Sequence, residues 1–358
     1  MPREHEQQNT AIVVTSIARP NRALRQLADG ARQRRYRFYV MGDVSSPPDF
    51  HLDGCEFFSL ERQRQLGFLT AERCPERHYA RKNIGYLQAI RDGAARIVET
   101  DDDNIPRAEF WDARPRTIIA SVCAASGWVN VYQYFTDRDI WPRGLPLQFV
   151  RRPAPPWDSL PLSESDCPIQ QGLADENPDV DAVYRLVLPL PVRFRRGRSV
   201  ALAPGAWCPF NSQNTVFWKD AYPLLYLPAF CSFRMTDIWR SFIAQRICWE
   251  NGWAVLFHDA TVLQERNAHD LMKDFRDELP GYLQNDQIRE ILERLPLRSG
   301  LQHIEDNLRR CYEALISASI LSQNELPLLN AWLQDLASIS QRQRSISNDH
   351  GPHSEGAQ

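Results

Sequence analysis

The sequence predicts an α/β protein, with a mixed, mostly parallel sheet flanked by helices and a helical C-terminal extension. Three observations predict this. Strand-like and helix-like patterns alternate over residues 12–100. The first strand pattern is an unbroken β-branched run, as in strands covered on both faces. A carboxylate run, Asp101-Asp102-Asp103, follows directly on the last of these strands, the position where open α/β sheets bind ligands.

The elements follow in order. Ile12 to Ile17 reads as a buried strand, and Asn21 to Ala28 as a helix stopped by Gly30. Arg37 to Met41 is a second strand, ending at Gly42-Asp43, and Glu56 to Leu60 a third. Tyr79 to Arg91 carries Ile84, Leu87 and Ile90 near one face of a helix capped by Gly93. Arg96 to Thr100 is the fourth strand. Residues 141–180 are rich in proline and polar groups and read as an excursion over the site. Pairing is expected to resume around Val180 to Val187. Thr236 to Glu250 is a helix, with Thr236 as its N-cap and Asn251-Gly252 ending it. Trp253 to Phe257 is another buried strand, and Gln284 to Ile339 is helical.

Composition bounds the function. The chain has 358 residues and a formal net charge of −3, which does not point to nucleic acid. Its eight cysteines form no C-x-x-C pair, so no zinc knuckle or dithiol motif is indicated. Several lie in apolar runs, as buried thiols in a reducing compartment do. Met1 to Thr10 is polar, unlike a secretory signal, and no stretch reaches the ~20 apolar residues of a membrane helix. A cytoplasmic protein, at most peripheral to a membrane, is expected.

Adjacent aspartates repel one another, and a divalent cation relieves that repulsion. Oxygen ligands select Mg²⁺ or Mn²⁺, which keep positions open for phosphate oxygens and water. Asp101 and Asp103, two apart, share a direction in extended backbone and are the candidate metal ligands; Asp102 points elsewhere, toward ribose or a metal-bound water. The alternative is a solvated acidic turn. Arg81 and Lys82 open the preceding helix pattern, which leads into the aspartate strand, and cations there oppose the dipole unless an anion sits at that end; Asn83 can bond a base or ribose. The plain alternative is a pair of surface cations.

Several of these segments resemble the STELLO family, plant Golgi proteins with a glycosyltransferase-like domain, and its bacterial relatives. The resemblance rests on Ser59-Leu60-Glu61, Leu66-Gly67-Phe68, Arg81 to Leu87, Asp101-Asp102 and Trp141 to Pro146. It continues through Ile169 to Leu173, Pro178 to Asp181, Pro209 to Thr215 and Thr236 to Arg240, covering residues 10–265 in order. It implies a GT-A-like, Rossmann-like fold and a nucleotide-sugar donor, with a glycan, lipid or protein acceptor left open. A weaker similarity to the reversibly glycosylated polypeptides, which include sugar mutases, points to the same fold. The plant proteins' membrane anchor has no counterpart here, so Golgi residence is not expected to carry over. The expected division is a disordered segment 1–10, a GT-A-like domain 11–270, a helical extension 271–340 and a disordered tail 341–358.

Such a site needs further groups. Asp237, in the first turn of its helix, is the candidate base for an acceptor hydroxyl. Asn211, Gln213 and Asn214 form an amide-dense segment suited to sugar hydroxyls, or an Asx-type turn. Arg143 can hold a phosphate, with Trp141 stacking on a sugar. His258, just past Phe257, is a candidate third metal ligand or a satisfied core histidine. Competing readings are a nucleotide-sugar mutase, a nucleotidyltransferase and a non-catalytic sugar-nucleotide-binding or assembly subunit. Ala18-Arg19-Pro20-Asn21 contains no glycine where a nucleotidyltransferase carries a Gly-rich loop.

Overall fold

The computed structural model describes residues 9–267 and 270–349. Residues 1–8 and 350–358 of the expected disordered ends lie outside the described residues.

The first half of the main sheet is parallel. It comprises β1 (Thr10–Thr15), β2 (Arg37–Met41), β3 (Glu56–Phe58) and β4 (Arg96–Thr100), in the order β3-β2-β1-β4. Next come β12 (Asn214–Trp218), antiparallel to both neighbours, then β9 (Ile169–Asp175) and β13 (Val255–Gln264), parallel to each other. The order ends with β10 (Ser199–Leu202), β6 (Thr117–Cys123) and β8 (Leu162–Asp166), while β5 (Asn104–Pro106) pairs with the far end of β13. Strands β7 (Gly127–Trp128) and β11 (Ala206–Trp207) form a separate small sheet. The pairings leave β3, β2, β1, β4, β9 and β13 pointing one way, so their carboxyl ends share one edge.

Alternation along β1 explains why both faces are covered. Ile12 and Val14 pack with Phe38, Val40 and the helix α1 (Arg22–Arg34) on one face. Ala11 and Val13 face the other side, toward Tyr39, Ile97 and the helix α4 (Lys82–Arg91). The short helices α2 (Leu60–Gln65) and α3 (Leu69–Arg73) lead into α4.

After α5 (Ala182–Val187) and α6 (Thr236–Glu250), the chain ends in α7 (Leu271–Arg294), α8 (Ile304–Ser317) and α9 (Glu325–Asp349). These last helices share the main core: Leu308, Tyr312 and Trp332 are buried with Ile84 and Tyr226. Helix α3 has no capping side chain of its own, and Asp335 of α9 supplies one, accepting the N–H groups of Leu69 (3.1 Å) and Thr70 (2.8 Å). Among the described residues no helix is long and apolar enough to cross a membrane.

Several local expectations are corrected. Gly30 does not stop α1, because Trp111 lies where a Cβ would be, within 2.1 Å; the helix runs on to Arg34 and ends at Arg35 with φ 59°. The 141–180 stretch contributes β8 and β9 to the sheet rather than a free excursion. Val180–Val187 gives α5, N-capped by Asp181, instead of a strand. Thr236 sits inside α6, whose N-cap, Met235, makes no side-chain capping bond. Helix α9 reaches Asp349, past the boundary expected at 341.

Gly85 sets the approach of α4 to the sheet. A Cβ there would stand 2.6 Å from Val13 Cγ1 and 2.9 Å from Met41 Cγ. Gly85→Ala should therefore destabilise by about 1–3 kcal/mol through overpacking, despite alanine's helix preference of about 1 kcal/mol. Denaturant unfolding measures the difference.

Candidate functional site

A cleft opens at the shared carboxyl edge. Thr15 and Ser16 reach it from β1, Met41, Gly42, Asp43 and Ser45 from β2 and the turn after it, the aspartate run from β4 and Gln264 from β13. It comprises two adjoining cavities of about 250 Å³ and about 440 Å³. Thr15, Tyr79, Asp102, Phe233 and Asn267 line both.

All three aspartates face the smaller cavity. They lie in a turn closed by Asn104 N–H donating to the Asp101 carbonyl (3.3 Å), so the extended geometry expected for Asp101 and Asp103 is not what aligns them. Asp102 accepts Ser16 Oγ (2.5 Å) and its backbone carbonyl accepts Asn21 Nδ2 (2.7 Å). Asp103 accepts Gln264 Nε2 (3.2 Å). Desolvation in the cleft, with the Asp103 and Asp102 charges, pushes the Asp101 carboxyl up to about 7 even though Lys82 opposes this. Desolvation also raises Asp102. The repulsion expected from the sequence is thus present.

The cations of α4 face inward. Lys82 is fully buried, and its Nζ donates to the Thr100 carbonyl (3.0 Å), Asp101 Oδ1 (3.0 Å) and the Ser212 carbonyl (3.4 Å). It orients Asp101 rather than awaiting a phosphate. Arg81 donates to Gln63 Oε1 (2.7 Å) and the Cys74 carbonyl (2.9 Å), which fixes the segment before it. Asn83 clamps Leu227, accepting its N–H (2.9 Å) and donating to its carbonyl (2.8 Å). Arg81 still lines the larger cavity, whereas the Asn83 side chain is spent on Leu227, which corrects the expectation for Asn83.

Arg143 lines the smaller cavity with its donors spent. It bonds Asp179 through Nε (2.8 Å) and Nη2 (2.9 Å), Asp237 through Nη1 (3.1 Å) and Nη2 (2.9 Å), and the Arg234 carbonyl through Nη1. Those are the five N–H groups a guanidinium has, so the phosphate-holding role gives way to a structural one. Trp141 is buried against Tyr184, donates to Asp181 (2.7 Å) and lines neither cavity, so the stacking expected of it is corrected.

Asp237 also accepts from Tyr79 Oη (3.1 Å) and the Ser212 N–H (3.1 Å). Burial works against its charged form, but Arg143, with Arg240 and Ser212, holds the carboxyl well below the usual aspartate range. A carboxylate so stabilised is a poor base, and the catalytic expectation for Asp237 is corrected accordingly.

The amide segment divides. Gln213 lines the smaller cavity. Asn211 forms a turn instead, its Oδ1 accepting the Gln213 N–H (3.0 Å). Asn214 Nδ2 bonds Thr261 Oγ1 (2.8 Å) and lines a small cavity elsewhere, with His258. His258 lies roughly 20 Å back along β13 from Gln264. Its Nδ1 meets the Asp259 carbonyl at 2.9 Å and burial lowers its pKa to about 3. It is a core histidine, separate from the aspartates. Among the described residues no group of three or more His, Cys, Asp or Glu is arranged to hold a metal ion.

Sequence reading missed Tyr79, Phe233, Arg234, Gln264 and Arg266 as cleft residues. The one signal available was that Gln264 closes an apolar strand pattern on the ligand-binding edge. The others come from two short 3₁₀ turns, which hold Tyr79, Phe233 and Arg234, and from the loop at Arg266, where no periodicity marks them.

Fold and site define the class: an α/β protein with a polar, carboxylate-lined cleft at the carboxyl edge of its sheet. Residues 234–353 match the family model described as STELLO glycosyltransferases. The chain is similar to two Arabidopsis thaliana proteins, 29% identical over 353 residues to "Probable glycosyltransferase STELLO2" and 27% over 360 residues to "Probable glycosyltransferase STELLO1". Each match covers 93% of this chain and 45% of the relative, so the chain spans about half the length of these curated relatives. The chain is thus similar to the STELLO glycosyltransferases, as its motifs suggested. A solved structure titled "Crystal Structure of a Mycobacterial Protein" aligns with a TM-score of 0.42 at 11% identity, covering 80% of this chain and 77% of that one, too slight a likeness to name a fold family.

Removing Arg143 leaves two buried carboxylates without their counter-ion. Arg143→Met should cost about 3–5 kcal/mol. The contribution of Asp237 should be present at neutral pH and lost as pH falls through its depressed folded-state value, because the unfolded carboxyl protonates first. Thermal unfolding of both proteins across acid pH checks the size and the sign.

Proposed function

We propose that this chain transfers a sugar from a nucleoside-diphosphate donor through a GT-A-like site, with Mn²⁺ or Mg²⁺ held at the Asp101–Asp103 turn. The observation that carries the reading is the position of that turn. It stands at the carboxyl edge of the parallel strands, beside the junction of a charged cavity and a less charged, aromatic-walled one.

The donor set suits a hard cation. Three carboxylates crowd together with one Lys82 charge against them, and the buried Oε1 of Gln264, next to Asp103, has no hydrogen-bond partner among the described residues. With no cluster of three His, Cys, Asp or Glu ligands among the described residues, Asp101 and Asp103 would hold the ion and leave positions to phosphate and water, as Mg²⁺ prefers. When bound, the metal neutralises charge on the departing nucleoside diphosphate. Lys82 keeps Asp101 oriented, and Ser16 keeps Asp102 in place. The nucleoside fits the larger cavity, and the sugar fits the smaller one beside Gln213 and Gln264. The acceptor is a glycan, lipid or protein.

Thermal shift of the full chain with nucleotide sugars, with and without Mn²⁺, tests this, since a bound donor raises stability by mass action. Asp101→Asn and Asp103→Asn should each weaken Mn²⁺-dependent donor binding and turnover by roughly 100-fold or more while the fold survives. Retention of both in either variant overturns the metal assignment. Because Asp101 is pushed up to about 7, metal uptake should displace protons below that pH and fewer above it. Calorimetry in buffers of different ionisation enthalpy reads this. Product analysis without acceptor separates transfer from mutase chemistry.

A further inference from the structure

We propose that His78 reads the nucleobase, its Nε2–H donating to a ring carbonyl, so that the larger cavity takes a keto base, uracil or guanine, over its amino counterpart, cytosine or adenine. The proposal rests on the nucleotide-donor reading above and adds to it the residue that selects the base.

The imidazole is held from several sides. Its ring stacks on Tyr79, with centroids 5.7 Å apart and planes 10° apart, and meets Phe233 edge-on at 5.2 Å. The His78 backbone N–H donates to Asp43 Oδ2 (2.9 Å). Nδ1 accepts the Ala80 N–H (3.0 Å), so the neutral ring must carry its proton on Nε2. Burial pushes the imidazole down to about 4, which keeps it neutral under cellular conditions. Among the described residues this Nε2–H has no hydrogen-bond partner, although His78 lines the larger cavity.

Three further polar groups of that cavity, Asp43, Ser16 and Arg81, already have partners. Both Asp43 oxygens accept backbone N–H groups, Oδ1 from Val44 (2.7 Å) and Oδ2 from His78. Ser16 is committed to Asp102, and Arg81 to Gln63 and Cys74. A fixed donor on an aromatic wall favours a stacking ligand with an acceptor at its edge. Uracil O4 and guanine O6 are acceptors, whereas cytosine and adenine place an amino group there. An amino group facing a fixed N–H leaves two donors unpaired, which a site built for hydrogen bonding rejects strongly.

The test uses pairs of matched size. UDP, CDP, GDP and ADP are titrated calorimetrically into the full chain with Mn²⁺. The expected result is about tenfold or greater preference within one pair, UDP over CDP or GDP over ADP, and the winning pair identifies the base. His78→Phe keeps the aromatic wall and should reduce that ratio to roughly twofold. Should that variant fail to fold, a ligand change replaces it: the winning diphosphate loses its tightness when its base lacks that one carbonyl. Parity within both pairs, a preference that survives His78→Phe, or undiminished binding of the carbonyl-free analogue overturns the assignment of His78. Absence of binding by all four diphosphates overturns the nucleotide reading itself, and this proposal with it.

Discussion

Negative charge gathered at one edge of the sheet has to be compensated inside the protein, and three buried cations do this. Arg240 pairs with Glu99 of β4 at 2.6 Å, both side chains almost wholly buried. Lys82 takes the next acidic position, Asp101, and Arg143 takes Asp179 and Asp237. A buried charge without its partner costs several kcal/mol, so each pair compels its two segments to meet. Together they draw α4, α6, the end of β4 and the loops at 143 and 179 around one cleft.

Compensation also sorts the carboxylates by what they can do. Asp237 is surrounded by donors and stays ionised, which suits a strut and disqualifies a base. The aspartate turn has one lysine beside three negative groups, and desolvation first, then the neighbouring carboxylate charges, raises Asp101 and Asp102. The unbalanced charge is where a cation would be gained, and it sits beside the cavity junction.

The C-terminal helices belong to the same arrangement although they lie far along the chain. Glu325, at the start of α9, accepts Tyr226 Oη and the Phe230 N–H (2.7 Å), bracing the segment that leads to Phe233. From α7, Asn285 donates to the Gly144 carbonyl (2.7 Å) and accepts Trp239 Nε1 (2.8 Å), while Glu278 takes Arg234 Nε at 3.0 Å. The wall of the cleft is therefore held from behind by side chains outside the sheet.

The sequence by itself determined the strands β1, β2 and β4, the helix α6 and the acidic turn at a strand end. Each of these follows from a local run of apolar residues or from a neighbouring breaker, which needs no knowledge of distant contacts. Strands β8 and β9 were hidden because buried Gln170 and Gln171 and the exposed, polar β8 lack an apolar signature. Tertiary structure alone decided that Lys82 meets Asp101, that Arg143 is spent on Asp179 and Asp237, and that Trp111 lets α1 pass through Gly30. It also placed His258 in a cavity away from the cleft, although the residue follows an apolar strand just as the aspartates do. Pattern and propensity act over a few neighbouring residues, whereas the pairing of buried charges is settled only where segments far apart in the chain exclude water together.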